Sequence, residues 1–264
     1  MGMSYLALPL WQQDKLTQCS LVRYSHGSTC LVHSILENVM IILHRDDLEG
    51  SGFAGIREHR VVTDSRLFGD QKSRETWDGI GNFVYLSDAR FLPKGETRLH
   101  GHKEIDVISV MVEGHVMHEG SLKHGQLMES HHVQAQRAGG EGFSHNEINP
   151  DDVENRMIQL WVLPEQPGQV AEYKLYSPKA GELTRVYGGE AGQEETLDSH
   201  TLIDVGIVLA GKSISLNTPV MAYLTRGSGM LNGQIVKDGD LIRDDRLEFR
   251  AKDDSQLIVI HTRG

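Results

Sequence analysis

The sequence predicts an all-β protein made of two related β-domains, each a sandwich or a barrel. From about residue 52 onward, short strand-like runs alternate with turn signals, and helical periodicity is weak. Asn232-Gly233 lies between two apolar pairs and is a strong signal for a type I′ hairpin turn. Residues 107–120 align with residues 220–233 without a gap, at a constant offset of 113, which favours a duplicated domain.

The predicted strands follow one another along the chain, with turn residues between them. Apolar or alternating runs predict strands at 55–63, 82–86, 107–112, 157–163 and 257–260. Pro93-Lys94-Gly95 is typical of a tight turn, and a break at 164–168 divides the two halves. We therefore expect an N-terminal extension of uncertain order over residues 1–50, a first domain over 51–165 and a second over 166–264.

Composition and charge exclude several classes of protein. The chain has 264 residues, of which 39% are hydrophobic, enough to bury two medium-sized cores. A formal net charge of −11 argues against general binding to nucleic acids or anionic membranes, because no phosphate-neutralising patch is supplied. An acidic face that meets a basic protein partner stays open as an alternative.

Cysteine content and hydropathy suggest where the protein works. Cys19 and Cys30 are the only cysteines, too few for a disulfide framework in a chain of this length. We expect them to be buried or free thiols rather than a redox pair. No apolar run reaches the roughly 18–20 residues that span a bilayer. The sequence therefore predicts a cytoplasmic protein without a membrane anchor.

Two short motifs carry the candidate chemistry. His100-Gly101-His102 and His145-Asn146-Glu147 both have an i, i+2 spacing, which places the two outer side chains on one face of a strand. Three imidazoles and one carboxylate from two strands would form a compact mononuclear metal site. With 14 histidines, about 0.7 His-x-His pairs arise by chance, so the first motif has little weight alone. Glycines at 139, 140 and 142 let the chain turn sharply before the second motif.

The two motifs together resemble those of the pirin family of bicupins. The resemblance covers residues 52–263, and the first histidines of the two motifs are 45 residues apart. It implies two cupin-type β-barrels packed face to face, with metal only in the N-terminal barrel. The ligands it implies are His100, His102, His145 and Glu147. Gly101 stands where the family has proline, which changes no ligand position.

The resemblance also implies the cofactor and two classes of function. One divalent metal ion is expected, Fe(II) first, with Zn, Ni, Cu or Mn as alternatives that the same donors accept. The first hypothesis is a quercetin 2,3-dioxygenase type of enzyme that acts on flavonol-like phenolic substrates, with Glu147 as the proton acceptor. The alternative is a non-enzymatic metal- or redox-sensing regulator that acts through a protein partner.

Other residues near the motifs have plainer interpretations. We expect most of the five histidines between the motifs on a surface hairpin, with the alternative that one of them reaches the pocket: His115, His118, His124, His131 and His132. Four apolar residues are expected to be barrel core rather than pocket lining: Phe83, Met111, Phe143 and Met157. At the repeat offset, His100 and His102 align with Ser213 and Ser215. The second domain is therefore predicted to lack metal ligands.

Overall fold

The computed structural model describes residues 40–264, so Cys19 and Cys30 lie outside the described residues. Within residues 40–264 the fold is all-β, as predicted, with one short helix, α1 (Ser65–Phe68), and two 3₁₀ turns, Arg45–Asp47 and Gly69–Gln71. The strands are β1 (Ile42–His44), β2 (Gly50–Phe53), β3 (Ile56–Thr63), β4 (Phe83–Phe91), β5 (His100–His102), β6 (Asp106–Glu113), β7 (His115–Gly120), β8 (His124–Glu129), β9 (Val133–Arg137), β10 (Phe143–Ile148), β11 (Arg156–Val162), β12 (Glu172–Tyr176), β13 (Leu183–Gly189), β14 (Ser199–Val208), β15 (Ser213–Leu216), β16 (Val220–Arg226), β17 (Ser228–Leu231), β18 (Gln234–Lys237), β19 (Asp240–Asp244), β20 (Leu247–Ala251) and β21 (Ser255–Thr262).

The sheet topology repeats itself. The first barrel consists of a seven-stranded sheet, β12-β9-β6-β11-β4-β3-β2, and a four-stranded sheet, β5-β10-β7-β8. The second barrel consists of a six-stranded sheet, β1-β19-β16-β21-β14-β13, and a four-stranded sheet, β15-β20-β17-β18. Each large sheet faces its own small sheet to make a cupin barrel. The fold is thus the predicted bicupin, in which both barrels use one strand order.

Local signals explain the hairpins within each barrel. Asn232 and Gly233 both have positive φ, 46° and 87°, as a type I′ turn between β17 and β18 requires. Gly114 and Gly227 lie at the predicted offset and also have positive φ, 72° and 84°, where each barrel passes from its large sheet to its small sheet. The sequence repeat is therefore also a structural repeat at this corner.

Each large sheet takes its edge strand from outside its own half of the chain. β1 pairs with β19 of the second barrel, although it precedes the first barrel in sequence. β12 pairs with β9 of the first barrel, although it follows the break at 164–168. The boundaries at residues 50 and 165 remain predictions. β1, which precedes residue 50, completes the second barrel, and β12, which follows residue 165, completes the first.

A shared core joins the two barrels. The largest hydrophobic cluster contains fully buried residues of both large sheets, for example Val110 and Ile158 of the first and Ile203 and Ile258 of the second. Phe83, one of the four residues predicted to be core, belongs to this cluster. Packing of two apolar sheet faces removes both from water, which makes the interface resemble the interior of a single domain.

A buried ionic network crosses the same interface. The Arg156 Nε atom of β11 donates to Asp88 Oδ1 of β4 at 2.8 Å, and the Tyr223 hydroxyl of β16 donates to Asp88 Oδ2 at 2.6 Å. Arg156 also donates to Asp238 Oδ1 at 2.8 Å. Burial acts to raise the pKa of Asp88, but the hydrogen bonds and charge of Arg156 outweigh it and hold that pKa below its usual value.

Within residues 40–264, no helix combines the length and the apolar character needed to cross a membrane.

Candidate metal centre

The two motifs lie on adjacent strands of the first barrel. β10 runs between β5 and β7, so His145 pairs with His100 on one side and with Gly120 on the other. Because alternate residues of a strand share a face, both histidines of β5 and both outer residues of the second motif point toward the barrel interior. His145 and Glu147 are completely buried, whereas His100 and His102 are half-buried at the rim.

The three predicted histidines converge on their Nε2 atoms. His145 Nε2 lies 3.0 Å from His100 Nε2 and 3.2 Å from His102 Nε2. Two imidazoles bound to one ion at about 2.1 Å each have their nitrogens about 3 Å apart when they occupy neighbouring positions. This spacing is therefore what a single divalent ion requires, and the three histidines form one potential metal-binding group.

The contacts of the Nδ1 atoms of His100 and His145 bear on whether each Nε2 atom has a lone pair available for metal. His100 Nδ1 donates to the Arg98 carbonyl at 2.8 Å, which leaves its Nε2 lone pair available. Arg98 has a φ of 63°, a left-handed conformation that brings its carbonyl within reach of that ring. Gln136 Nε2 lies 3.3 Å from His145 Nδ1, and Gln136 Oε1 has no hydrogen-bond partner among the described residues. Gln136 is thus the polar group in contact with the far side of His145.

Burial keeps the imidazoles neutral, the state that binds metal. Burial, together with the charge of the neighbouring His100, lowers the pKa of His102 to about 4. Burial and three surrounding histidines lower the pKa of His145 to about 2. At neutral pH both rings therefore present lone pairs rather than protons to the space between them.

Glu147 lies deeper than the three histidines. Its Oε1 accepts hydrogen bonds from Ser109 Oγ at 2.9 Å and Gln134 Nε2 at 2.7 Å, and its Oε2 accepts one from Gln159 Nε2 at 3.3 Å. Burial raises the pKa of Glu147 to about 7 despite these hydrogen bonds. The carboxylate is therefore held in place by three donors, and its Oε2 is the less occupied oxygen.

One of the five histidines between the two motifs reaches the site. His118 of β7 is directly opposite Glu147 of β10, is completely buried, and forms a second potential metal-binding group with His145 and Glu147. His145 is thus the residue that the two potential metal-binding groups have in common. The alternation of buried and partly exposed residues in β7 could have indicated that His118 points inward, but only the strand register places it opposite Glu147.

The other intervening histidines lie away from the donors. His115 contacts Asp151 at 2.8 Å, His124 is exposed, and His132 Nδ1 accepts from the Glu129 backbone amide. The expectation that most of these histidines lie on a surface hairpin therefore holds for these three, and His118 is the one that reaches the site.

Aromatic side chains line the rim of the site. The Phe143 ring lies 5.2 Å from the His102 ring, and the Trp161 ring lies 5.8 Å from it on another side. Trp161 stacks on Tyr85 at 4.2 Å, and its Nε1 has no hydrogen-bond partner among the described residues. Of the four residues predicted as core, Phe143 therefore also borders the site, whereas Met111 and Met157 pack in a separate apolar cluster.

These features define a class of protein: a two-barrel cupin whose first barrel carries a histidine–carboxylate cluster that fits a single divalent metal ion. Comparison with known proteins agrees. Residues 63–162 match the pirin family model. A Zymomonas mobilis protein, named provisionally as a quercetin 2,3-dioxygenase, is 27% identical over 189 residues, which cover 67% of this chain and 80% of that protein.

Solved structures show the same fold. The bacterial pirin YhhW from Escherichia coli, in complex with nickel(II), superposes with a TM-score of 0.72 at 16% identity and covers 84% of this chain and 97% of its own. A quercetin 2,3-dioxygenase from Acinetobacter baumannii superposes with a TM-score of 0.62 at 15% identity, covering 84% of this chain and 85% of its own. The first barrel of this chain therefore matches the pirin family model, and the described chain has the fold of a bacterial pirin.

Proposed function

We propose that this protein is a metal-dependent dioxygenase of the quercetin 2,3-dioxygenase type, with His100, His102, His145 and Glu147 as metal ligands. The observation that carries the proposal is the convergence of three Nε2 atoms, 3.0 and 3.2 Å apart, beside a buried carboxylate. Relatives named for this activity support the choice of reaction. Fe(II) is the expected ion, and the reducing cytoplasm expected from the sequence would keep it in that state.

The roles of the side chains follow from their positions. A bound divalent ion would polarise a phenolic hydroxyl and lower its pKa. Glu147 accepts the proton that this hydroxyl loses, since its Oε2 has only the long 3.3 Å contact with Gln159. The histidines remain neutral and hold their lone pairs on Nε2, with His100 fixed by the Arg98 carbonyl. Both atoms of O₂ enter the products of a dioxygenase, so no external reductant is needed.

The rim of the site suits an aromatic substrate. Phe143 and Trp161 both lie against the His102 ring, so a flat phenolic ring bound next to that imidazole can pack on their aromatic surfaces. The unpartnered Trp161 Nε1 can donate to a second hydroxyl of the same substrate. The half-buried histidines lie at this end of the site and the fully buried donors lie behind them, so a substrate approaches from the rim.

Aerobic incubation of Fe(II)-loaded protein with quercetin tests the proposal. We expect loss of the flavonol absorbance with matching O₂ uptake, and no loss with the His145→Ala variant. His200→Ala, at an exposed histidine of the second barrel, is the matched control and should retain full activity. If metal-loaded protein consumes no more quercetin than His145→Ala, the enzymatic proposal is wrong. A partner captured only in one oxidation state of the metal would then favour the regulator.

A further inference from the structure

We propose that His118 is a fifth protein ligand of the metal, so that the site is a four-histidine, one-carboxylate centre with one open coordination position. This inference rests on the proposed metal site and deepens it. The first observation is that His118, His145 and Glu147 each offer a ligand atom within 4.8 Å of the other two. His145 thus belongs to both potential metal-binding groups of the barrel.

The surroundings of His118 require a partner that the protein does not supply. The ring is fully buried, yet neither Nδ1 nor Nε2 has a hydrogen-bond partner among the described residues. A buried polar group without a partner is unfavourable, so such groups usually meet an ion, a water or a ligand. His145 and Tyr173 border the ring, with ring centroids 5.4 and 5.7 Å away, but neither forms a hydrogen bond with it.

The backbone keeps the space between the two imidazoles open. Gly120 pairs with His145 and lies two residues beyond His118 on β7. A Cβ atom at position 120 would lie 3.0 Å from His118 Nε2 and 3.1 Å from His145 Cβ. A side chain at this position would therefore crowd the His118 ring and the His145 Cβ, as well as the Ser144 carbonyl oxygen at 2.9 Å. Glycine at this position lets the imidazoles of neighbouring strands face one shared volume.

A fifth ligand changes what the metal can bind. Four protein ligands leave two positions of a six-coordinate ion for exogenous groups, whereas five leave one. One position accommodates a single phenolate oxygen. The site should then bind a phenol through one oxygen, and a neighbouring hydroxyl should add little affinity through the metal.

Metal binding and spectroscopy test the inference without any assay of activity. Wild type, His118→Leu and the control His115→Leu are loaded with Ni(II) for affinity and with Co(II) for absorption spectra. His115 lies on the same strand but contacts Asp151 outside the barrel. We expect His118→Leu to bind Ni(II) at least about tenfold more weakly and to change the Co(II) ligand-field bands, with His115→Leu unchanged in both.

The outcomes separate this inference from the proposed function. If wild type binds Ni(II) and His118→Leu matches it in affinity and spectrum, the inference is overturned and the four-ligand site stands. Altered quercetin affinity with an unchanged metal spectrum likewise overturns it, since His118 would then contact substrate. Failure of wild type to bind any ion overturns both proposals. Should His118→Leu not fold by circular dichroism, His118→Gln provides the same comparison, because an amide cannot replace imidazole in the Co(II) spectrum.

Discussion

The two barrels share a strand order but differ in what their small sheets place inside. In the first barrel, His100, His145 and Gly120 lie side by side across β5, β10 and β7. In the second, Ile214, Phe249 and Leu231 lie side by side across β15, β20 and β17; Phe249 and Leu231 belong to one apolar cluster, against which Ile214 packs. One fold therefore supports either a donor-lined site or a packed core.

The register corrects one detail of the sequence alignment. Ser213 and Ser215, which align with the histidine pair at the repeat offset, are exposed, whereas Ile214 and Leu216 pack against the apolar cluster. A shift of one residue exchanges the two faces of a strand. The second barrel therefore presents isoleucine and leucine, rather than two serines, on the face that carries donors in the first. This difference teaches that inward-facing residues, and not the barrel itself, determine whether a cupin half can hold metal.

The largest expected effect is a loss of stability, without a loss of metal binding, when the core of the second barrel is changed. Phe249→Ala should lower the free energy of unfolding by about 3–5 kcal/mol, because it opens a cavity in the apolar cluster of the second barrel. Ni(II) affinity of the folded protein should not change. Chemical denaturation and calorimetry measure the two quantities. A loss of metal binding equal to that of a ligand variant would show that the barrels are not separate in function.

The interface network tests whether the barrels depend on each other for stability. Asp88→Asn should cost about 3 kcal/mol, because it leaves the buried Arg156 without its main carboxylate. Since the folded pKa of Asp88 is depressed, its contribution is present above the ordinary aspartate pKa of about 3.9 and is lost as pH falls below it. Wild type should therefore lose stability below about pH 4 more steeply than Asp88→Asn. Equal slopes in acid denaturation would contradict this account.

Loss of a ligand sharpens the contrast with Phe249. His145→Leu should weaken Ni(II) binding at least about 100-fold, because His145 belongs to both potential metal-binding groups. Its stability without metal should fall by only about 1–3 kcal/mol, because leucine fills the buried volume but leaves the Gln136 amide without its His145 partner. Titration calorimetry and urea denaturation check the two parts. Retained Ni(II) affinity would exclude the proposed ligand set.

The smallest expected effect concerns the orientation of one ligand. A metal on His145 Nε2 requires the proton on Nδ1, where Gln136 can accept it through Oε1 after a turn of its amide. Gln136→Leu should therefore weaken Ni(II) binding about tenfold. Gln126→Leu, on the exposed strand β8, is the control and should have no effect. Equal affinities for the two variants would show that Gln136 only fills space.

Most of the fold and the outer donors could be predicted from the sequence. Five predicted strands coincide with β3, β4, β6, β11 and β21, because short apolar runs bounded by turn residues encode strands locally. The i, i+2 motifs were sufficient to place His100 and His102 on one face of β5. They likewise placed His145 and Glu147 on one face of β10. What spacing could not provide was the distance between those pairs, which depends on the pairing of β5 with β10.

The sequence by itself determined the strands, the repeat and the four donor types, since each depends on neighbours along the chain. Only the tertiary structure decided that His118 faces Glu147, that β1 and β12 complete the opposite barrels, and that Ser213 points outward. Each of these depends on strand register or on pairing between distant segments. A one-residue shift reverses every side chain of a strand, so local patterns constrain such features weakly.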